Sequence, residues 1–372
     1  MKRFIILILI TIIVSGCGVI RVNRTSTPKT VVPIGIYKSA NAGETWESKS
    51  NIYSTKGEVR TFTDSNITTL IQDPNDPMTL YAGTNSKGLV YTYNGAEGWQ
   101  STLTNKGVVN AIAVDTSDKC VVYAALYNTI FKTIDCNRTW NQVHFSTLDK
   151  EFFTTLAIDP ARSNVVFAGT SRGTLLVSRD AGISWQVSVF FPSQLSQLLI
   201  QPDNANIMYL ATVSRGLYYS DNGGSTWSET SKLDAVIIDR KLTQGTVVAT
   251  TTGQFGNLKN ANTFRSMSLD STQPNSLLYS NNYGIFRFTG GSSWREIQIL
   301  NKPAEEIVYA IAVNPQNPQM LALTTTGAYY LTDDGGANWS VKVLPAAGIP
   351  RFLIINPKQP KEVYIGFYQT AK

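Results

Sequence analysis

All seven tryptophans of the 372-residue chain stand at the last position of one recurring octet. The clearest copies are SANAGETW (Ser39 to Trp46), SRDAGISW (Ser178 to Trp185), SDNGGSTW (Ser220 to Trp227) and TDDGGANW (Thr332 to Trp339). Weaker copies are TYNGAEGW ending at Trp99, TIDCNRTW ending at Trp140 and RFTGGSSW ending at Trp294. Successive tryptophans lie 53, 41, 45, 42, 67 and 45 residues apart. A self-similar period in the low forties, carried by short strands, predicts an all-β repeat architecture of the β-propeller kind.

A second pattern precedes each octet. LIQDPNDPMTLYAG (Leu70 to Gly83), LAIDPARSNVVFAG (Leu156 to Gly169) and AIAVNPQNPQMLAL (Ala310 to Leu323) each read as an apolar strand, a Pro/Asp/Asn turn and a second apolar strand. A Gly-containing turn, a third strand, the octet and a more polar fourth strand follow, which together make one four-stranded antiparallel blade. The interval of 67 residues before Trp294 holds AVIID, TVVATTT and a worn octet ending at Phe264, and reads as two units, one of them thin. The mature chain opens on a third strand, IGIYKS, and closes on a first-and-second pair, FLIINPKQPKEVYIGFY. These halves predict a composite blade joining the termini, which removes open sheet edges. The count comes to eight blades, or seven if residues 235–264 are an irregular insertion.

The octet resembles the Asp-box, or bacterial neuraminidase repeat, Ser-x-Asp-x-Gly-x-x-Trp. Its best copies supply Ser39, Asn41, Gly43 and Trp46; Ser178, Asp180, Gly182 and Trp185; Ser220, Asn222, Gly224 and Trp227; and Thr332, Asp334, Gly336 and Trp339. The hydroxyl and the Asp or Asn side chain can hydrogen-bond backbone amides of the turn between strands three and four. Glycine permits a positive φ there, and the Trp covers the hairpin. The resemblance implies that these residues are scaffold, on the face opposite any ligand.

The first residues set the compartment. Lys2 and Arg3 precede an apolar run from Phe4 to Val14, too short to span a bilayer comfortably, and the run ends VSGC at Cys17. That ending resembles a bacterial lipobox. It implies a signal peptide over 1–16, an acylated Cys17, a tether over 17–30 and a propeller over 31–372, held by lipid in the cell envelope on its extracytoplasmic side. Without Lys2 and Arg3, 30 basic side chains face 26 acidic ones, a net +4, too small an excess for a nucleic-acid partner. Cys120 and Cys136 flank a hairpin turning at Tyr127 and Asn128, and in an oxidising compartment they are candidates for a disulfide.

Catalytic signatures are sparse. His144 is the single histidine, there is no Gly-x-Ser-x-Gly elbow, and no CxxC, HExxH or calcium loop appears, so neither a metal nor a cofactor is expected. Sialidases share the box, but their Phe/Tyr-Arg-Ile-Pro motif is missing here. Xyloglucanase-like hydrolases resemble the chain in both the box and the strand pair, yet they use two tandem propellers. A glycosidase needs two carboxylates roughly 5–9.5 Å apart, and the loops entering first strands offer Asp64, Asp149, Glu151, Asp234, Glu305 and Glu306. The turns between strands two and three place Lys87, Arg172 and Arg215 at matching positions (NSKG, TSRG, VSRG), an arc able to bind carboxylate or phosphate groups. Single Asp-box propellers with a lipobox also resemble photosystem II assembly propellers and, more loosely, sortilin-type receptor propellers, which bind proteins or peptides. The reading is a monomeric, non-enzymatic lipoprotein whose propeller face binds a protein or glycan; the alternative is a glycoside hydrolase or sialidase-like enzyme using the loop carboxylates.

Overall fold

The computed structural model describes residues 33–53, 57–230, 263–270, 275–282, 284–289, 293–299 and 306–370. Residues 1–32, with Cys17, the signal peptide and the tether, lie outside these, as do Asp234 and Glu305. Every described element is a strand or a turn. The strands form seven four-stranded antiparallel sheets arranged as the blades of a propeller.

Blade I runs from its inner strand Ile67–Gln72 to its outer strand Gln100–Thr102, and blade II from Val109–Val114 to Asn141–Phe145. Blade III spans Phe153–Asp159 to Gln186–Phe190, and blade IV spans Leu195–Ile200 to Ser228–Glu229. Blade V spans Ser266–Asp270 to Ser293–Ile297, and blade VI spans Val308–Asn314 to Ser340–Val343. Blade VII is composite, with inner strands Ile349–Ile355 and Val363–Tyr368 from the end of the chain and outer strands Ile36–Ser39 and Glu47–Ser48 from its beginning. The two ends pair antiparallel from Ile36 against Gly366 to Ser39 against Val363. A further hairpin, Asn51–Tyr53 with Val59–Thr61, lies along the outer edge of blade I, where Tyr53 N donates to Trp99 O at 2.9 Å.

Inner strands of neighbouring blades pack on one another round the whole ring. This corrects the count of eight: among the described residues there are seven blades, the alternative count. No blade separates IV from V, because Gln197 of IV donates through Nε2 to Met267 O of V at 3.1 Å, and Met267 N donates back to Gln197 Oε1 at 3.3 Å. Phe264, read as the end of a worn unit, instead precedes the inner strand of blade V and packs on Tyr279, ring centroids 5.5 Å apart.

The turn between first and second strands is built on a buried polar residue. Asp73, Asp115, Asp159, Asn314 and Asn356 each accept backbone N–H groups two or three residues on, which explains the Asp/Asn signal after each apolar strand. The octets close on a shared bonding plan. In the copy from Ser178, Gly182 N donates to Ser178 Oγ at 2.8 Å and Ser184 N to Asp180 Oδ1 at 2.8 Å. The same two bonds recur from Ser39, Thr133, Ser220 and Thr332. At Gly43 φ is +91°, and a Cβ there would stand 2.6 Å from the Tyr329 ring of blade VI, so glycine serves both conformation and contact.

At several seams the octet also latches a blade to the one before. Tyr123 OH and Lys132 Nζ of blade II donate to Ala181 O in the octet of blade III, at 2.7 and 2.9 Å. Tyr364 OH and Lys38 Nζ of blade VII reach Gly95 O of blade I at 3.3 and 3.1 Å, and Lys342 Nζ of blade VI reaches Ala42 O at 2.9 Å. The tryptophans lie in the same seams. Trp46 meets Tyr329 edge-on at 5.4 Å, Trp99 Nε1 donates to Lys49 O at 2.8 Å, and Trp339 Nε1 donates to Gln298 O at 2.8 Å. One copy departs from the plan. In RFTGGSSW, Thr289 pairs directly with Ser293.

Candidate functional site

Strand direction gives the propeller two different faces. Octets and first-to-second turns share one face. The other, the loop face, carries the second-to-third turns and the connections from one blade to the next. Lys87, Arg172 and Arg215 all stand on the loop face before a turn glycine, Arg172 in a turn one residue shorter than the other two. Lys87 N donates to Thr84 Oγ1 at 2.8 Å, Arg172 N to Thr170 Oγ1 at 3.3 Å and Arg215 N to Thr212 Oγ1 at 3.1 Å. The arc is interrupted at blade II, which places Tyr127 there. Tyr127 has φ +50° and stacks on Phe152 at 5.8 Å with the rings 17° from parallel. A left-handed backbone at a bulky residue is strained and persists only where the surroundings hold it.

The loop carboxylates are engaged locally. Asp64 pairs with Lys87 at 3.3 Å across solvent, an exposed ion pair of little energetic weight. Glu151 is buried and accepts the Ser146 hydroxyl. Glu306 accepts Tyr330 OH at 2.6 Å and the Thr325 hydroxyl. The backbone carbonyl of Asp149 accepts Arg172 Nη2 at 2.7 Å, which orients that guanidinium. Two of the three carboxylates on blade-entry loops II–III and VI thus hold turns together. Among the described residues no cluster of three His, Cys, Asp or Glu side chains could hold a metal ion.

The single histidine is a seam residue. His144 lies between Phe153 and Trp185, ring centroids 5.7 and 5.5 Å away, and burial lowers its pKa. Cys120 and Cys136 are joined as a disulfide, with Cα atoms 4.0 Å apart. Exposed turn carboxylates are strongly acidic. The hydroxyl and amide of Ser184 hold Asp180 at about 2, and those of Thr139 hold Asp135 at about 2.

Sequence reasoning missed the rim of the central channel. Each inner strand is interrupted at one matching position near its loop-face end, where a single extra residue bulges: Thr68, Asn110, Thr154, Ser196, Tyr309 and Arg351. Arg265 holds that position in blade V, since its N donates to Ser280 O at 3.0 Å while Ser266 pairs with Ser280. Three consecutive blades therefore bring Arg265, Tyr309 and Arg351 to the rim. The Arg265 guanidinium lies 5.8 Å from the Tyr309 ring centroid and that of Arg351 lies 5.7 Å from the Tyr368 ring. Arg351 is exposed. Desolvation lowers its pKa, and the Arg265 charge lowers it further. The seven positions hold five residue types, so no motif announced them.

The chain is similar in structure to a GH74 xyloglucanase from Xanthomonas campestris, with 17% identity and a TM-score of 0.63 over 89% of this chain and 52% of that one. It spans about half the length of that enzyme. It is also similar to YCF48 bound to D1 peptide, with 14% identity and a TM-score of 0.58 over 82% of this chain and 93% of that one. An ancestral GH74 enzyme aligns at 15% identity and a TM-score of 0.57 over 87% of this chain and 43% of that one. The likeness is one of fold. No family model matches the chain, and no curated protein matches it in sequence.

Proposed function

We propose that the chain is an exported lipoprotein of the bacterial envelope, acylated at Cys17, whose octets are scaffold Asp boxes and whose loop face binds a protein or glycan partner without catalysis. The observation that carries this reading is the division of charge on the loop face. Both oxygens of Glu306 and one of Glu151 accept local hydroxyls, while Arg172, Arg215, Arg265 and Arg351 stand at turns and along the channel rim. Cations presented this way match carboxylate groups of an acidic peptide or a uronic or sialic sugar. The fold shared with YCF48, whose structure holds a peptide, supports a peptide partner. The fold shared with xyloglucanases supports the second reading, a glycoside hydrolase using the loop carboxylates.

One experiment separates the two. Protein lacking the lipid is used for affinity capture from envelope extract and on a glycan array, beside a panel of fluorogenic glycosides. Capture that disappears in the double variant R172E/R215E, with no glycoside turned over, is the expected result. Turnover that is lost in E306Q would establish the hydrolase. Capture indifferent to the charge reversal would remove the cationic turns from the account. Membrane attachment is tested separately: C17S should move the protein from the detergent phase to the aqueous phase.

A further inference from the structure

At the second-strand position where blades I, II, IV and VII carry Tyr81, Tyr123, Tyr209 and Tyr364, blade V carries Leu278, which has no hydroxyl to reach the next octet; blades III and VI carry Phe167 and Ala322 there. In blade V, Phe288 stands opposite Leu277, where the other copies have the capping Ser or Thr, and Arg287 stands opposite Leu278. Between blades V and VI, on the octet face, lies a cavity of about 360 Å³, lined by Arg287, Arg295, Ile297, Gln319, Gly335 and Gly336 among others.

The cations in this cavity are poorly matched by the protein itself. Arg287 and Arg295 are direct cross-strand partners, and like charges facing each other across a sheet are destabilising. Arg287 gives one Nη to Pro318 O at 3.0 Å, but its Nε is buried and has no partner. An unsatisfied buried donor on a charged group is costly. Burial lowers the Arg287 pKa and the Arg295 charge lowers it further, against a raising influence from Asp270. Buried Asp270 offsets part of the charge on Arg287, and the acidic residues that line the cavity add little to that. Asp334 has both oxygens engaged in its own turn, by Thr332 and by the amide and side chain of Asn338. Glu296 follows Arg295 on the alternate face of the strand, its Oε1 3.6 Å from where a Cβ on Gly284 would sit.

We propose that this cavity binds the oxyanion of a small ligand, a carboxylate or a phosphate, through the guanidinium groups of Arg287 and Arg295. Paired guanidiniums present parallel N–H donors that match two oxygens of such a group, and an anion between them removes their mutual repulsion and satisfies the orphaned Nε. The volume suits a small molecule rather than a polymer. The site lies on the face opposite the proposed partner surface and does not rest on that reading.

The test is an NMR titration of the full-length protein, labelled with ¹⁵N at arginine, at low ionic strength. Inorganic phosphate, acetate and neutral glucose are the probes. The Arg287 Nε–H signal should shift saturably with phosphate, acetate or both, and the preferred anion names the source of the oxyanion. Glucose should leave it unmoved. R295Q, at an exposed position, should weaken anion binding at least tenfold, and R172E/R215E on the loop face should leave it unchanged. The proposal is overturned if the signal does not saturate with either anion, if glucose shifts it equally, or if R295Q binds the anions as tightly as the parent protein.

Discussion

Gln201 shows how far a single side chain can depart from a repeat. It occupies the position at which Asp73, Asp115, Asp159, Asn314 and Asn356 cap the first turn of their blades, and it is buried. One methylene too long to fold back, it leaves both Nε2 and Oε1 without partners. Replacing it with the shorter amide, Q201N, should stabilise the protein by about 1 kcal/mol and raise Tm, as a lost buried hydrogen bond is restored; a lower Tm would show that the turn in blade IV has a different geometry. The octet carboxylates give a second expectation. Asp135 and Asp180 have pKa values of about 2 in the fold, below the ordinary 3.8, because turn hydroxyls and amides bond the carboxylate. Depressed folded values make their stabilisation complete above pH about 4, and it is lost as pH falls through about 2. Asn41 and Asn222 make the same acceptor bond without charge. D135N/D180N should therefore melt like the parent at neutral pH and lose less stability between pH 4 and pH 2, which thermal melts across that range measure. These capping roles were legible in the sequence because hydroxyl, carboxylate and glycine lie within one octet. The rim residues Arg265 and Arg351 were not, since a bulge is a matter of register between strands and leaves no local spelling.

At the scale of elements, the hairpin Val122–Leu126 with Thr129–Thr133 was readable down to its cross-link. Its strands pair Val122 with Thr133 and Leu126 with Thr129, which brings the flanking Cys120 and Cys136 together. Closing a loop of this 16-residue separation stabilises by about 3 kcal/mol in the chain-entropy account. Alkylation followed by intact-mass measurement should label neither cysteine until a reductant is added, and Tm should then drop; labelling of both without reductant would remove the bond from the account. The seams were only half legible. The tyrosines of LYAG and VYAA are plain in the sequence, but their partners belong to the next blade's octet: Tyr81 OH accepts from Asn137 Nδ2, and Tyr123 OH donates to Ala181 O, 58 residues away. Blade V departs from its own spelling for the opposite reason. RFTGGSSW fits the octet spacing, yet two consecutive glycines also suit a tight hairpin, and the direct pairing of Thr289 with Ser293 is what formed.

The whole molecule is closed by joining its ends. Lys38, on a strand from the beginning of the chain, pairs with Glu362 from its end at 3.0 Å, both side chains about nine-tenths buried. Tyr364 OH and Asn356 Nδ2 also donate to Glu362 Oε1. Burial pushes the Glu362 pKa up, but these bonds and the lysine outweigh it and hold the value below 4.5. Its stabilisation is thus present above that value and lost as pH falls through the lower folded one. E362Q should cost about 2 kcal/mol at neutral pH, as charge-assisted bonds to the carboxylate are lost while Lys38 keeps Glu97 at 3.4 Å and the Gly95 carbonyl at 3.1 Å, and should melt with less dependence on acid; an unchanged Tm would mean that the clasp is held by its backbone ladder alone. Composite closure was legible because the two terminal strand pairs were each half a blade. The blade number was not, because packing of Gln197 on Met267 across the IV–V seam has no counterpart in the repeat spacing. The same limit applies to function, since the octets specify a scaffold and the loop face is written in residues that the repeat leaves free. Hydrogen–deuterium exchange of the protein with its captured ligand tests that division most directly. The account predicts protection in residues 84–88, 146–152, 170–174, 212–216 and 349–352, with the octet turns unchanged. Protection confined to the octet turns would contradict it.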